Sequence, residues 1–352
     1  NYNVAVGFQA GVNVSTGIKN TFIGGLSGDA TTTAEENTAV GYESMTTNTT
    51  GGDNSASGAY SLRMNTTGSN NAAMGYSALE QNSTGGSNTA VGYKALEANT
   101  TASYNTAVGF QALNGNTTGA GNNALGYQAL TTNTTANYNT AFGHVALSLN
   151  VTGTENTAVG SQTMYNNTGN NNTAMGGTAL YANTSGANNV AMGVQALRYN
   201  TTASNNTAVG YQSLYDNTTG ANNIAVGNYA LSNNTTSNSN VAMGYAALET
   251  NTTGANNVAI GSTALLSNTT ASNNTAVGHQ ALYTNTTSTS NAAFGNKALH
   301  LATGTLNTAL GNGAGRDLSS GAKNTIIGAY GGNENGLDIR TSSNNIVLSD
   351  GD

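Results

Sequence analysis

The chain has 352 residues, only 7% of them charged, and a formal net charge of −7. That balance excludes the basic footprint of a phosphate-backbone binder, and the lack of cysteine excludes disulfides and thiolate metal sites. Forty-six glycines without one proline exclude collagen and a proline-rich linker, and no apolar run reaches the roughly 18 residues of a membrane span.

Glycine returns almost every 17 residues, from Gly7, Gly24 and Gly41 onward to Gly328, and asparagine stands four residues before each of the twenty. Only the steps Gly160 to Gly176 and Gly295 to Gly311 are 16 residues. So tight a period means one supersecondary unit stacked many times, which overrides the two-domain prior that length alone would give. We divide the chain into a repeat region, residues 1–333, and a closing segment, residues 334–352. Because Asn1 already lies inside a repeat, the chain reads as part of a longer or processed polypeptide.

In chain order, with each glycine counted as zero, the first two units form a subtype with Gly11 and Gly28 at +4. From Met45 to Leu299 position +4 is Leu or Met in sixteen consecutive units, and Gly315 and Gly332 return the chain to the terminal subtype. Such ends suit a repeat array that needs capping. Position −2 is alanine in eighteen units, Phe22 and Ile326 being the exceptions, and −1 is apolar in all but the unit with Ser57. A stretch such as Asn105-Thr106-Ala107-Val108-Gly109 alternates β-branched or large with small, which predicts a short strand ending in a corner at the glycine. A second extended piece is expected through the Ala-Leu positions, with the large residues at −1 and +4 as the core. Each unit carries about eight Gly, Asn, Thr or Ser residues, which argues against helix.

The remaining Asn-Thr-rich stretch, as in Asn99-Thr100-Thr101-Ala102-Ser103, is turn material. The expected fold is all-β, a parallel β-solenoid or β-roll of about twenty 17-residue coils. The −4 asparagines are expected to form an internal ladder between coils: Asn37, Asn54, Asn71, Asn88, Asn105, Asn122, Asn139, Asn156, Asn172, Asn189, Asn206, Asn223, Asn240, Asn257, Asn274 and Asn291. The small residues at −2 and zero are expected to form an outward stripe suited to close approach of another chain, and a parallel homotrimer in one register follows from it.

Asn-x-Thr/Ser recurs near +7, from Asn48, Asn65 and Asn82 through Asn150 and Asn166 to Asn285. The pattern spells an N-glycosylation acceptor, but a turn rich in Asn and Thr spells it as well, and the turn is the reading taken. After Gly328 the period fails. Asn345 to Leu348 reads as one more strand and Asp350-Gly351-Asp352 as a turn.

Asn105-Thr106-Ala107-Val108-Gly109 and Asn257-Val258-Ala259-Ile260-Gly261 resemble the head repeats of trimeric autotransporter adhesins, in which three chains build a left-handed parallel β-roll. The units here are longer than in that family, so the turn must be enlarged. Gly336-Leu337-Asp338-Ile339-Arg340 followed by Asn345-Ile346-Val347-Leu348-Ser349-Asp350-Gly351 resembles the repeat-to-C-terminus junction of marine bacteriophage tail fibres. The resemblance implies a chaperone domain beyond this segment, removed after trimerisation, and a host-cell receptor bound through flanking domains.

No catalytic or cofactor site is read from the residues. His144 and His279 stand at +1, where other units carry Tyr42, Tyr93 or Phe110, and look like substitutions for an aromatic; His300 is alone at +5. No Ser/His/Asp arrangement and no regular aspartate spacing can be assembled. The expectation is a non-enzymatic shaft of a virion tail fibre, on a virion surface or extracellular, with no nucleic-acid partner, membrane insertion, metal or cofactor. A bacterial surface adhesin or extracellular matrix filament is the alternative. An ice-binding solenoid, suggested by threonine at −3 in eleven units, is a further one.

Overall fold

The computed structural model describes residues 2–350, in two compact units, residues 2–172 and 173–350. The first unit holds ten three-residue strands, from Val4–Val6 to Thr157–Val159; the second holds ten more, from Thr173–Met175 to Thr325–Ile327. Within each unit every strand pairs in parallel with that of the next coil. Thr89, Ala90 and Val91 face Thr106, Ala107 and Val108 in the first unit, and Thr207, Ala208 and Val209 face Ile224, Ala225 and Val226 in the second. The fold is an all-β parallel solenoid with one coil per repeat, about twenty coils in all, and no helix forms among the described residues.

A 17-residue coil encloses little space, and that decides which residues go inside. Ala107 at −2, Ala112 at +3 and Leu113 at +4 are fully buried, and the same trio recurs in Ala225, Ala230 and Leu231. The large residue at −1 points outward instead: Met74 is 58% exposed. This corrects its expected place in the core. Alternate strand residues face opposite sides, and only alanine at −2 fits the narrow interior.

The stripe expected from −2 and zero is also corrected, since the alanines lie inside. The glycines answer to neighbouring coils. A β-carbon on Gly109 would run into the carbonyl oxygen of Gly126, and its φ of 135° suits glycine alone.

The Ala-Leu stretch is not extended. It is a run of tight turns with left-handed backbone at +2 and +4, as at Gln111 (φ 51°) and Leu113 (φ 52°). These two amides reach in opposite directions: Gln111 donates to the Tyr93 carbonyl at 2.9 Å and Leu113 to the Ala129 carbonyl at 2.9 Å. Left-handed backbone costs roughly 1–2 kcal/mol per residue, and bonding to the coil on each side helps offset it.

Gly11, Gly28 and Gly315 at +4 occupy the same left-handed position (φ 56°, 58° and 61°). The space left by the missing leucine is filled from −2. A β-carbon on Gly11 would lie 2.8 Å from Phe22 Cδ2, and one on Gly315 would lie 2.9 Å from Ile326 Cδ1. The exceptions at −2 and at +4 therefore compensate each other.

In the second unit Asn333–Glu334 pairs antiparallel with Leu337–Asp338, and Ile346–Leu348 pairs parallel with Thr325–Ile327 as one further rung. Asp338 is held by Arg340 at 2.7 Å, and this ion pair keeps its carboxyl down at about 2. Of the turn expected at the end, Gly351 and Asp352 lie outside the described residues.

Candidate interaction face

Two rows of buried asparagine hold the coils at a fixed height. In the −4 row the Asn54 N–H donates to Asn37 Oδ1 at 3.0 Å, and Asn54 Nδ2 donates to the Gly68 carbonyl at 2.9 Å. The second unit repeats this, with Asn206 N–H to Asn189 Oδ1 at 3.0 Å and Asn206 Nδ2 to the Gly220 carbonyl at 2.9 Å. All sixteen asparagines from Asn37 to Asn291 named above are buried, each at most 1% exposed.

The +7 asparagines make a second row that the sequence reading missed. Asn65 Nδ2 donates to Asn48 Oδ1 at 2.8 Å and to the Gly68 carbonyl at 2.9 Å. One carbonyl thus receives an amide from each row, using both of its lone pairs. The signal was present in the sequence, since asparagine recurs at +7 almost as faithfully as at −4.

In the coil of Gly160 the residue in the row is Asn167, which donates to the Gly169 carbonyl at 2.9 Å, while Asn166 is only half-buried. The coil of Gly295 carries Ala302 at +7 and so offers no amide to the preceding asparagine. Asn285 Oδ1 is left without a partner in the protein, as is Asn291 Nδ2.

With the interior closed, −3, −1 and +1 share the outer side of the strand and its corner. In the first unit Val40, Leu125 and Phe142 at −1 and Tyr42, Tyr76 and Phe110 at +1 are exposed. The rings of Tyr76, Tyr93, Phe110, Tyr127 and His144 form a column, with centroids 5.2–5.5 Å apart and planes within 11° of parallel. Spacing near the strand repeat makes such stacking inexpensive. Where +1 is Ala59, Tyr60 at +2 joins the row and packs edge-on between Tyr42 and Tyr76.

In the second unit Met192, Met243 and Ile260 at −1 are exposed, as are Tyr211 and Tyr245 at +1. Tyr229 bridges Tyr211 and Tyr245 edge-on at 5.4 and 6.1 Å.

No charged residue occupies −3, −1 or +1 in any of the twenty units. Within the units the charges stand at −6, −5, +2, +5 and +6, where Arg63 pairs with Glu43 at 3.0 Å and Lys94 with Glu97 at 2.9 Å. Each unit therefore carries an uncharged sheet face of apolar and threonine rows, edged by a long aromatic column in the first and by the cluster of Tyr211, Tyr229 and Tyr245 in the second.

His144 belongs to the aromatic column, and His300 stacks on Tyr283 at 5.1 Å. Among the described residues no group of three or more His, Cys, Asp or Glu lies close enough to hold a metal ion. No protein-family model matches the chain, and a search of curated proteins finds no match.

Proposed function

We propose that the protein is a structural fibre shaft, non-enzymatic and extracellular or on a virion surface, that presents a receptor-binding module carried by flanking domains. The uncharged outer face is the observation that carries this reading. It places exposed Val, Ile, Met and Phe at −1 beside aromatic rows at +1, while every charge within the units stands elsewhere. Apolar surface of this extent favours burial against a partner. A second and third copy with the same axial repeat would match it row for row, so the chains assemble as a parallel homotrimer.

The test is native mass at dilute concentration, for the wild type and for a Met192→Glu/Met243→Glu variant. The wild type is expected at the mass of three 35.2 kDa chains. The variant is expected as a monomer with an unchanged β-type circular dichroism spectrum. A folded wild-type monomer would sink the trimer.

A surface adhesin or matrix filament would use the same face. Outward threonines at −3, such as Thr106 and Thr140, favour the ice-binding reading as the next one. A monomer that shows thermal hysteresis would establish it.

A further inference from the structure

Apart from the half-buried Asn166, the Asn-x-Thr/Ser acceptors fall into two physical classes, and this carries an inference independent of the shaft. In the first class the acceptor amide is sealed inside the coil. Asn99 is fully buried, and its Nδ2 donates to Asn82 Oδ1 at 2.8 Å and to the Ala102 carbonyl at 3.0 Å. Asn200 does the same with Asn183 Oδ1 at 2.8 Å and the Ala203 carbonyl at 3.0 Å.

In the second class the acceptor is exposed. Asn13-Val14-Ser15, Asn171-Asn172-Thr173, Asn205-Asn206-Thr207, Asn233-Asn234-Thr235 and Asn273-Asn274-Thr275 each present an exposed first asparagine.

N-glycosylation joins Nδ2 to C1 of an oligosaccharide carried on a polyprenyl diphosphate. The N–C1 bond forms as the C1–O bond breaks; the amide gives up one proton, and the diphosphate leaves with the bonding pair. For +7 asparagines such as Asn99 and Asn200 both amide protons are already committed inside the protein, and no saccharide fits a coil interior filled by alanine and leucine.

We infer that glycan transfer to the +7 row and closure of the coil are mutually exclusive. The Asn-x-Thr/Ser members of the row are acceptor sites that exist only in the unfolded chain, and the folded chain offers only the exposed class and the half-buried Asn166. A glycan attached before folding removes the rung at that coil and leaves its neighbours unpaired.

The experiment uses a purified oligosaccharyltransferase with its lipid-linked oligosaccharide donor. It acts on the native chain and on the chain freshly diluted from denaturant, and sites are mapped by mass spectrometry. In the native protein the buried +7 asparagines are expected to stay unmodified, with any glycan confined to the five exposed acceptors and the half-buried Asn166. In the unfolded chain +7 sites are expected to be modified, and the molecules that carry them should lack the β-type spectrum and be cut by protease.

Two outcomes would overturn the inference: a glycan at a buried +7 asparagine in protein that keeps its β-type spectrum, or no transfer to the +7 row in the unfolded chain. An Asn99→Gln variant removes one acceptor. It should lose only the Asn99 glycan in the unfolded arm, which separates site loss from a general folding defect.

Discussion

Asn105 shows how much one side chain does in a coil this small. Its Oδ1 accepts the Asn122 N–H at 2.8 Å, and its Nδ2 donates to the Gly119 carbonyl at 2.9 Å. Removing it strands the Asn122 amide, whereas Gly119 keeps the bond from Asn116 Nδ2 at 2.9 Å. Asn105→Ala, or Asn206→Ala in the second unit, should therefore cost about 1–3 kcal/mol, chiefly through one unsatisfied buried donor. Chemical denaturation with an unchanged slope would measure it, and a cost near zero would mean that the row does not hold the coils.

The −4 row was legible because asparagine is invariant there while its neighbours vary. The sidedness of the strand was less so. In Thr106-Ala107-Val108 size pointed to valine as core, and only the small enclosed volume reverses that choice. The cue was near-constant alanine at −2 beside a −1 position that accepts Val, Met, Leu, Phe, Ile and Ser.

Each coil is one short strand, a glycine corner and a string of turns, so its stability rests on neighbours more than on itself. The terminal subtype makes this concrete, because Phe22 fills space under both Gly11 and Gly28. Phe22→Ala should cost about 3–5 kcal/mol, as for other large-to-small core changes. Adding Gly28→Leu to that variant should recover part of the loss, since leucine tolerates the left-handed +4 position in most other coils. Gly28→Leu alone should destabilise, because its side chain would meet the Phe22 ring. Thermal melts of the three variants give the coupling, and strict additivity would contradict the volume exchange.

The exchange was visible in the sequence as Phe22 and Ile326 standing beside glycines at +4, but it takes the fold to show that −2 and +4 share one space. The turn geometry of Gln111 and Leu113 had no such cue, since leucine and glutamine do not announce a left-handed backbone.

For the molecule as a whole, few charges mean that individual carboxyls shape the pH response. Burial pushes Asp216 and Glu249 above the usual carboxylate range. Between the ordinary and the raised value, the folded chain holds protons that the unfolded chain has released. Stability from these groups is therefore greatest below that window and falls as pH rises through it. Asp338 has the opposite sign. Its pairing with Arg340 lowers it to about 2, so its contribution is present above the ordinary carboxylate value and fades as pH falls toward about 2. The difference in melting temperature between the wild type and Asp216→Asn/Glu249→Gln should accordingly shift in favour of the variant as pH rises from acid to neutral. A difference that stays constant with pH would show that these two groups do not contribute.

The buried amide rows also govern how the protein ages. Asparagine decays when the next backbone nitrogen attacks its side-chain carbonyl, and so asparagine-rich chains normally carry a chemical clock. Here the carbonyl oxygens of the −4 rungs are bonded to a neighbouring coil and sealed from water, as at Asn37, Asn54 and Asn71. Asn312 and Asn335 are different, both being exposed and followed by a glycine, Gly313 or Gly336, with open space around it. Wear in an old sample should therefore begin at these two Asn-Gly steps, while the rungs outlast them.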